Sequence, residues 1–447
     1  MKKGLRTALS LLFVSSLTVV AACGGTKTPS GSSSPAPSGN SSSSPSDKPA
    51  GKTVTLTHVV TGDSPSRDKW LKALAEKAGA NIDIQLLPLD KFEEIYKVKA
   101  ATKDLPDIIS YHPGARMRDD LQASKALADL SDLPGVKNIN EGLLPFYKDN
   151  GKVYGIPAQG VKFGGILYNK KVFKEVGVDI PQSLDELIKA SEKIKKAGKI
   201  PFYLSAKDSW TLQIPGLTAF SYDQLQNKGL LDKINANQAS FKDAKNFIDA
   251  YKTLKTLISS GYVNSDFLSA SYANAQQAMT EGKAAMYPVL SSIVGTLADT
   301  APDKVDDLGF FLWPVAGEKV ATSWPPMIFG IPADSKNKEK AKEFINYFMT
   351  NDGQKQYFEY QPSAGVPALK GVQLDESKLK EPVRDMIKIS NTTKQFATFD
   401  FSVITNIGAF GDQVQAMLMD QKTPEQLAET LTDTLKKNAK AKGIPGF

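Results

Sequence analysis

Side chains able to do covalent chemistry are scarce in this chain. Its 447 residues include one cysteine, Cys23, and two histidines, His58 and His112. A metal site of several histidines is therefore excluded, and most His-based nucleophilic catalysis with it. No Gly-x-Ser-x-Gly, His-Glu-x-x-His or P-loop pattern is present. Aromatic and polar side chains do fall together: Tyr111 with His112, Asp208 with Trp210, and Asp400 between Phe399 and Phe401. Such groups suit non-covalent recognition, the ring offering a flat apolar face and the carboxylate accepting hydrogen bonds. Asp63, in the turn Thr61-Gly62-Asp63-Ser64-Pro65, is either of this kind or the N-cap of the helix that follows. Trp324 and Tyr287 are further rings at the edges of short apolar runs.

Cys23 closes the run Val20-Ala21-Ala22-Cys23, behind a basic start (Lys2, Lys3, Arg6) and an apolar stretch from Ala8 to Ala22. A basic start, a short apolar stretch and small residues before a cut site make residues 1–22 a secretory signal peptide. The apolar stretch is short for a membrane span, which needs ~20 residues. Small residues directly before a cysteine resemble a bacterial lipobox. Cys23 would then carry a diacylglycerol, with acyl chains such as palmitate, and become the new N-terminus. Two acyl chains hold a protein on a membrane where one alone is marginal. Residues 23–52 are Gly, Ser, Thr and Pro with almost nothing apolar, so a disordered tether is expected there, reaching on the order of 30 Å. A long Ser-rich tether behind a lipid anchor suggests the outer face of the cytoplasmic membrane of a Gram-positive cell.

The remaining chain is long enough for two domains. It has no cysteine, hence no disulfide, although export would place it in an oxidising compartment. The formal charge of +7, from 55 Lys and Arg against 48 Asp and Glu, is spread as mixed signs along helices. That pattern is a solvated surface, not a nucleic-acid stripe, and a monomer without metal or cofactor is expected.

The elements that must position the recognition groups read as alternating strands and helices. Thr53–Val60, Ile82–Leu87 and Pro106–Ser110 read as strands. Helices containing Trp70, Leu71 and Leu74, and then Phe92, Ile95 and Tyr96, lie between them. This order is the signature of a parallel sheet covered by helices. Ser183-Leu184-Asp185-Glu186 is a capping box, and Phe241 to Ile258 carries one apolar helical face closed by Gly261. Ala284–Tyr287, Leu308–Leu312 and Met327–Ile331 read as buried strands. Lys338–Thr350 reads as a helix, and Pro424 opens the last helix behind the cap Thr423.

Several stretches, in order, resemble the bacterial extracellular solute-binding proteins of carbohydrate ABC importers, the maltodextrin-binding-protein-like group. They are Leu105-Pro106-Asp107-Ile108-Ile109, then Asn150 to Pro157 (Asn-Gly-Lys-Val-Tyr-Gly-Ile-Pro), and then Ile166 to Gly177 with its Leu-Tyr-Asn-Lys-Lys core. Pro181 to Leu187, Gly198 to Pro201, Glu281 to Met286 and Gly365 to Ala368 follow. The resemblance implies an α/β fold of two lobes, each a mostly parallel sheet flanked by helices, with a ligand cleft between them. The N-lobe would be 53–157 plus 303–349 and the C-lobe 158–302 plus 350–447. The implied function is capture of a carbohydrate outside the cell and delivery, by cleft closure, to membrane permease subunits. That is a binding protein and not an enzyme. A binding protein for a peptide or another small solute is the alternative. A lipoprotein glycoside hydrolase, which needs two carboxylates facing across a cleft, is a third reading.

Carried onto this sequence, the resemblance makes Trp210 the first stacking ring, with Asp208 beside it. Tyr287 ends a strand after which the family often has a tryptophan. Here that place is Leu290-Ser291-Ser292, and Trp324 is the substitute. Lys162 lies near a position where maltodextrin binders carry glutamate, a reversal of charge that speaks against maltose itself and hints at a uronate, sulfated or phosphorylated ligand. Asp63, Tyr111, His112 and Asp400 complete the candidates.

Overall fold

In the computed structural model, which describes residues 53–88, 91–363, 365–408 and 410–447, the N-terminal alternation of strands and helices is present. Thr55–Thr61 and Asn81–Leu87 lie parallel, Thr55 opposite Asn81 and Thr61 opposite Leu87. The helix Pro65–Lys77 crosses between them and buries Trp70, Leu71 and Leu74. Its cap is Ser64, whose hydroxyl accepts from the Arg67 backbone N–H, so Asp63 is left exposed and uninvolved in the cap. A parallel bridge joins His58 to Ile108. The His58 ring donates from Nδ1 to the Ile108 carbonyl at 2.8 Å, and burial pushes its pKa down to about 4. His58 is thus a core group. Ile109–Tyr111 pairs antiparallel with Ile328–Gly330, which pairs antiparallel with Ile156–Pro157. The signal peptide, Cys23 and the tether lie outside the described residues.

The second lobe is built on a six-stranded sheet whose central strand is Lys162–Asn169. It pairs antiparallel with Ala284–Leu290, Leu308–Phe311 and Val320–Trp324. Ile200–Phe202 and Lys394–Ala397 are added in parallel at the two edges, so this sheet is mixed. Helices cover it on both sides, and Ala284 to Val289 is accordingly buried without alternation.

The continuous helix expected over residues 241–258 is broken. Ser240 and Asp243 cap one another across a single turn, Phe241–Asp243, and Ala244 leaves the helical conformation at φ -92°, ψ 86°. The helix proper, Lys245–Ser259, starts against Asp223 of the helix Ile214–Gln226, whose carboxylate accepts from the backbone N–H groups of Asn246 and Phe247. A cap supplied from another helix leaves no local signal in the sequence.

Two segments run with the opposite lobe from the one expected. Leu308–Phe311 and Val320–Trp324, placed with the N-lobe, pair with the central strand of the second sheet, because their all-buried side chains complete that sheet. The helix Asn351–Tyr360, placed with the C-lobe, packs on the first. The Tyr357 ring lies 4.8 Å from Trp70. Between Pro157 and Lys162, and again between Trp324 and Ile328, the chain passes from one sheet to the other within a few residues.

Candidate binding cleft

A cavity of about 270 Å³ opens where these crossings meet. The first lobe contributes Thr61, Phe92, Glu93, His112 and Arg116. The crossings contribute Lys162, Trp324, Pro325 and Met327. The second lobe contributes Trp210, Gln213, Ile214, Leu217, Leu290, Asp400 and Phe401. A few polar groups thus converge among apolar and aromatic walls, the usual make-up of a small-molecule site.

Each ring is held by its element. Trp324 ends a strand and lies across the central strand at Gly164. A Cβ at Gly164 would sit 2.4 Å from Trp324 Cζ3, so only glycine admits the ring there. Trp210, in the short helix Ser209–Gln213, leans on Tyr272 with centroids 5.3 Å apart, and its Nε1–H has no protein partner. Phe401 meets the first lobe at Gly114, whose backbone at φ +67° comes so close that a Cβ would lie 2.2 Å from the Phe401 carbonyl oxygen.

The charged groups form one network across the lobes. Arg116, 4% exposed, ion-pairs with Glu93 and reaches Asp400 at 3.7 Å. Its guanidinium stands 5.6 Å from the Phe401 ring centre. His112 Nε2 is 3.3 Å from Glu93. Burial works upward on the Glu93 carboxyl, but the His112 hydrogen bond and the Arg116 charge outweigh it and hold the group well below the usual range. Asp400 is raised by burial, opposed by Arg116 and by the Thr398 hydroxyl, which donates to it at 2.7 Å. Beside the network, Asp119 accepts from Thr405 Oγ1 at 2.8 Å, and Asp120 from Asn406 Nδ2 at 2.9 Å, tying the helix Ala115–Asp120 to the second lobe.

Lys162 stands apart from this network. Its ammonium donates to Gln159 Oε1 at 2.6 Å. Burial alone lowers its pKa to about 8. Among the described residues no metal-ligating cluster of three or more groups forms.

Of the sequence candidates, the structure brings Trp210, His112, Trp324, Lys162 and Asp400 to this cavity. It places four elsewhere. Asp63 is exposed beside the wall residue Thr61. Tyr111 is fully buried and its hydroxyl donates to Asp120 at 2.9 Å. Tyr287 is fully buried with its hydroxyl 2.7 Å from that of Ser205. Asp208 accepts the Tyr272 backbone N–H at 2.6 Å, holding two loops together. Phe92, Glu93, Arg116 and Gln213 escaped the sequence reading, since Phe92 reads as core and Glu93 as an ordinary first-turn acid.

A family model for bacterial extracellular solute-binding proteins matches residues 69–384. The multiple sugar-binding protein of Streptococcus mutans is 26% identical over 331 residues, 72% of this chain and 76% of the relative. The melibiose/raffinose/stachyose-binding protein MelE of Bacillus subtilis is 27% identical over 249 residues, 53% of this chain and 55% of the relative. Among solved structures, a chitin oligosaccharide binding protein superposes with a TM-score of 0.74 at 23% identity, covering 87% of this chain and all of the other. A sugar transporter protein of Bacillus licheniformis in complex with stachyose gives 0.63 at 26% identity, covering 85% and 98%.

Proposed function

Because this chain belongs to the bacterial extracellular solute-binding protein family, we propose that its cleft captures a carbohydrate for a membrane ABC permease and releases it chemically unchanged. The observation that carries the reading is the cavity wall itself. Trp210, Trp324, Phe92 and Phe401 offer rings to the C–H faces of a sugar, while Glu93, Asp400, Gln213 and Lys162 offer partners to its hydroxyl edges. The sugars named for the relatives fit the same reading. The division into lobes follows the sheets, with 308–324 in the second lobe and 351–360 in the first. The crossings at 157–162 and 324–328 serve as hinges, so that bound sugar favours the closed form by its differential affinity. Residues 1–22 direct export. Acylated Cys23 anchors the protein to the outer face of the cytoplasmic membrane, and residues 23–52 tether it there.

The test is a thermal-shift screen of the exported chain with neutral and acidic mono- to tetrasaccharides, followed by titration calorimetry on the hits. Chromatography of the recovered sugar completes it. The expected result is a saturable upward shift with one sugar class and intact sugar recovered. No shift with any sugar would overturn the carbohydrate reading, and cleaved sugar would replace binding by hydrolysis.

A further inference from the structure

Resting on the carbohydrate reading, we propose that the sugar held in this cleft carries a carboxylate, as a uronic acid residue does, and that Lys162 selects it. Among the described residues, Lys162 is the cation on the cavity wall that has no ion-pair partner. The titratable and charged groups there are Glu93, His112, Arg116, Asp400 and Lys162. Arg116 ion-pairs with Glu93 and reaches Asp400, and the His112 ring lies against the same Glu93 carboxylate. Lys162 has only the neutral Gln159 oxygen as a side-chain partner, and among the described residues no carboxylate lies within ion-pair distance of it. Its register partner is Trp324, and the remaining wall is apolar apart from the Gln213 amide and the Thr61 hydroxyl. An ammonium has three protons to donate, of which Gln159 takes one.

A partly buried cation without a counter-charge is unfavourable in the empty protein, and a ligand anion relieves it where a hydroxyl does not. A single ammonium without an ion-pair partner of its own is met by a monoanion. A phosphate ester, near −2 at neutral pH, is usually met by several cations or an arginine fork. Of the monoanions a sugar can carry, a carboxylate is a stronger hydrogen-bond acceptor than a sulfate ester, so a carboxylate completes this wall, with Glu93 and Asp400 left to accept from the sugar's hydroxyls.

The experiment is calorimetric titration of the exported chain with uronic acid disaccharides of galacto and gluco configuration. Their uncharged methyl esters, the neutral parent disaccharides and a sugar 6-phosphate are the comparison probes. Wild type, Lys162→Gln and Lys162→Arg are compared, with melting curves to show that each variant is folded. At least one free acid should bind roughly ten- to a hundredfold tighter than its own ester, as a charge-assisted hydrogen bond predicts. Lys162→Arg should keep that preference and Lys162→Gln should abolish it. The preference should also fall as pH rises above about 8, where the empty protein's Lys162 loses its proton. An ester or neutral parent binding as tightly as the acid would overturn the proposal, as would tighter binding of the phosphate or a preference that survives Lys162→Gln. Neutral sugars binding while every acid fails would sink this inference and leave the carbohydrate reading standing. No sugar binding at all would sink both.

Discussion

Lys162 and Trp324 are register partners where the strands Lys162–Asn169 and Val320–Trp324 pair antiparallel. Both line the cavity, and both stand at a crossing between the two sheets. An ammonium and a large ring are thereby held at fixed spacing by a backbone ladder. A site on rigid elements holds its geometry better than one on loops. Apart from Pro325 and Met327, the remaining wall residues come from elements on either side of the crossings, so the proposed hinge motion would change their distance to this pair.

Gly164→Ala tests how Trp324 is held. The added Cβ would fall 2.4 Å from Trp324 Cζ3 and 2.6 Å from Thr218 Cγ2. Overpacking of this kind costs roughly 1–3 kcal/mol. The expected outcome is a lower melting temperature together with sugar affinity reduced at least severalfold, because the ring must leave its place. Unchanged affinity in a folded variant would show that Trp324 does not touch the ligand.

Much of the fold was legible because its elements carry local signals. The first-lobe strands and helices and the caps Ser183 and Thr423 all rest on neighbours in sequence. The break before Lys245 was not, because its cap, Asp223, comes from another helix. Nor were the places of Leu308–Phe311 and Val320–Trp324, since a short buried strand carries no mark of which sheet it joins. The same logic divides the site. Trp210 and Trp324, singled out through the family resemblance, and Asp400, singled out by its aromatic neighbours, do stand on the cavity wall. Arg116 was missed because nothing in Gly114-Ala115-Arg116 announces that its side chain meets Glu93 and Asp400. Tyr111 and Tyr287 have the right chemistry, but their strands carry them inward to Asp120 and Ser205.

The Glu93–Arg116 pair predicts an acid-sensitive contribution to stability. The folded-state pKa of Glu93 lies below its unfolded value. The contribution is therefore complete above the unfolded pKa, about 4.5, and is lost as pH falls through the folded value. Glu93→Gln should cost roughly 2–4 kcal/mol at pH 7. That is somewhat less than for a fully buried pair, since Glu93 is partly exposed. The gap between wild type and variant should narrow as pH is lowered below 4.5. Denaturant melts at pH 7 and pH 3 check it, and a constant gap would place the cost in packing instead.

Lys162 shares the sign of that pH slope, but its substitution acts in the opposite direction. Its folded pKa, about 8, is below the ordinary lysine value of about 10.5, so between these pH values the unfolded chain holds more protons and stability rises with pH. Lys162→Met should stabilise the empty protein by about 1–3 kcal/mol at pH 7, by removing an uncompensated charge. That gain should shrink towards pH 10. Comparing the two proteins at each pH removes the contribution of other groups, and a destabilised Lys162→Met would mean that Gln159 satisfies the ammonium fully.

Cys23→Ser tests the anchor independently of the cleft. With no thiol to acylate, the protein should move from the membrane fraction to the medium and retain its sugar affinity. A variant that still sediments with membranes would remove the lipid-anchor reading.

Trp210→Ala weighs a stacking platform against a packing residue. The ring is partly exposed on the cavity wall and leans on Tyr272 at 5.3 Å. Its buried Nε1–H lacks a protein acceptor, so the side chain spends no hydrogen bond on the fold. An anchor ring of this kind contributes on the order of 2–4 kcal/mol to binding, tens- to several-hundredfold in affinity. Truncating a core tryptophan would instead remove roughly 3–5 kcal/mol of folding free energy. The partial exposure favours the first outcome: sugar affinity should collapse while the melting temperature of the empty protein shifts by only a few degrees. Trp210→Phe should recover part of the affinity, because a smaller ring still presents a face. A variant that melts far lower yet binds normally in its folded fraction would make Trp210 a packing residue and leave Trp324 and Phe401 as the rings that face the sugar.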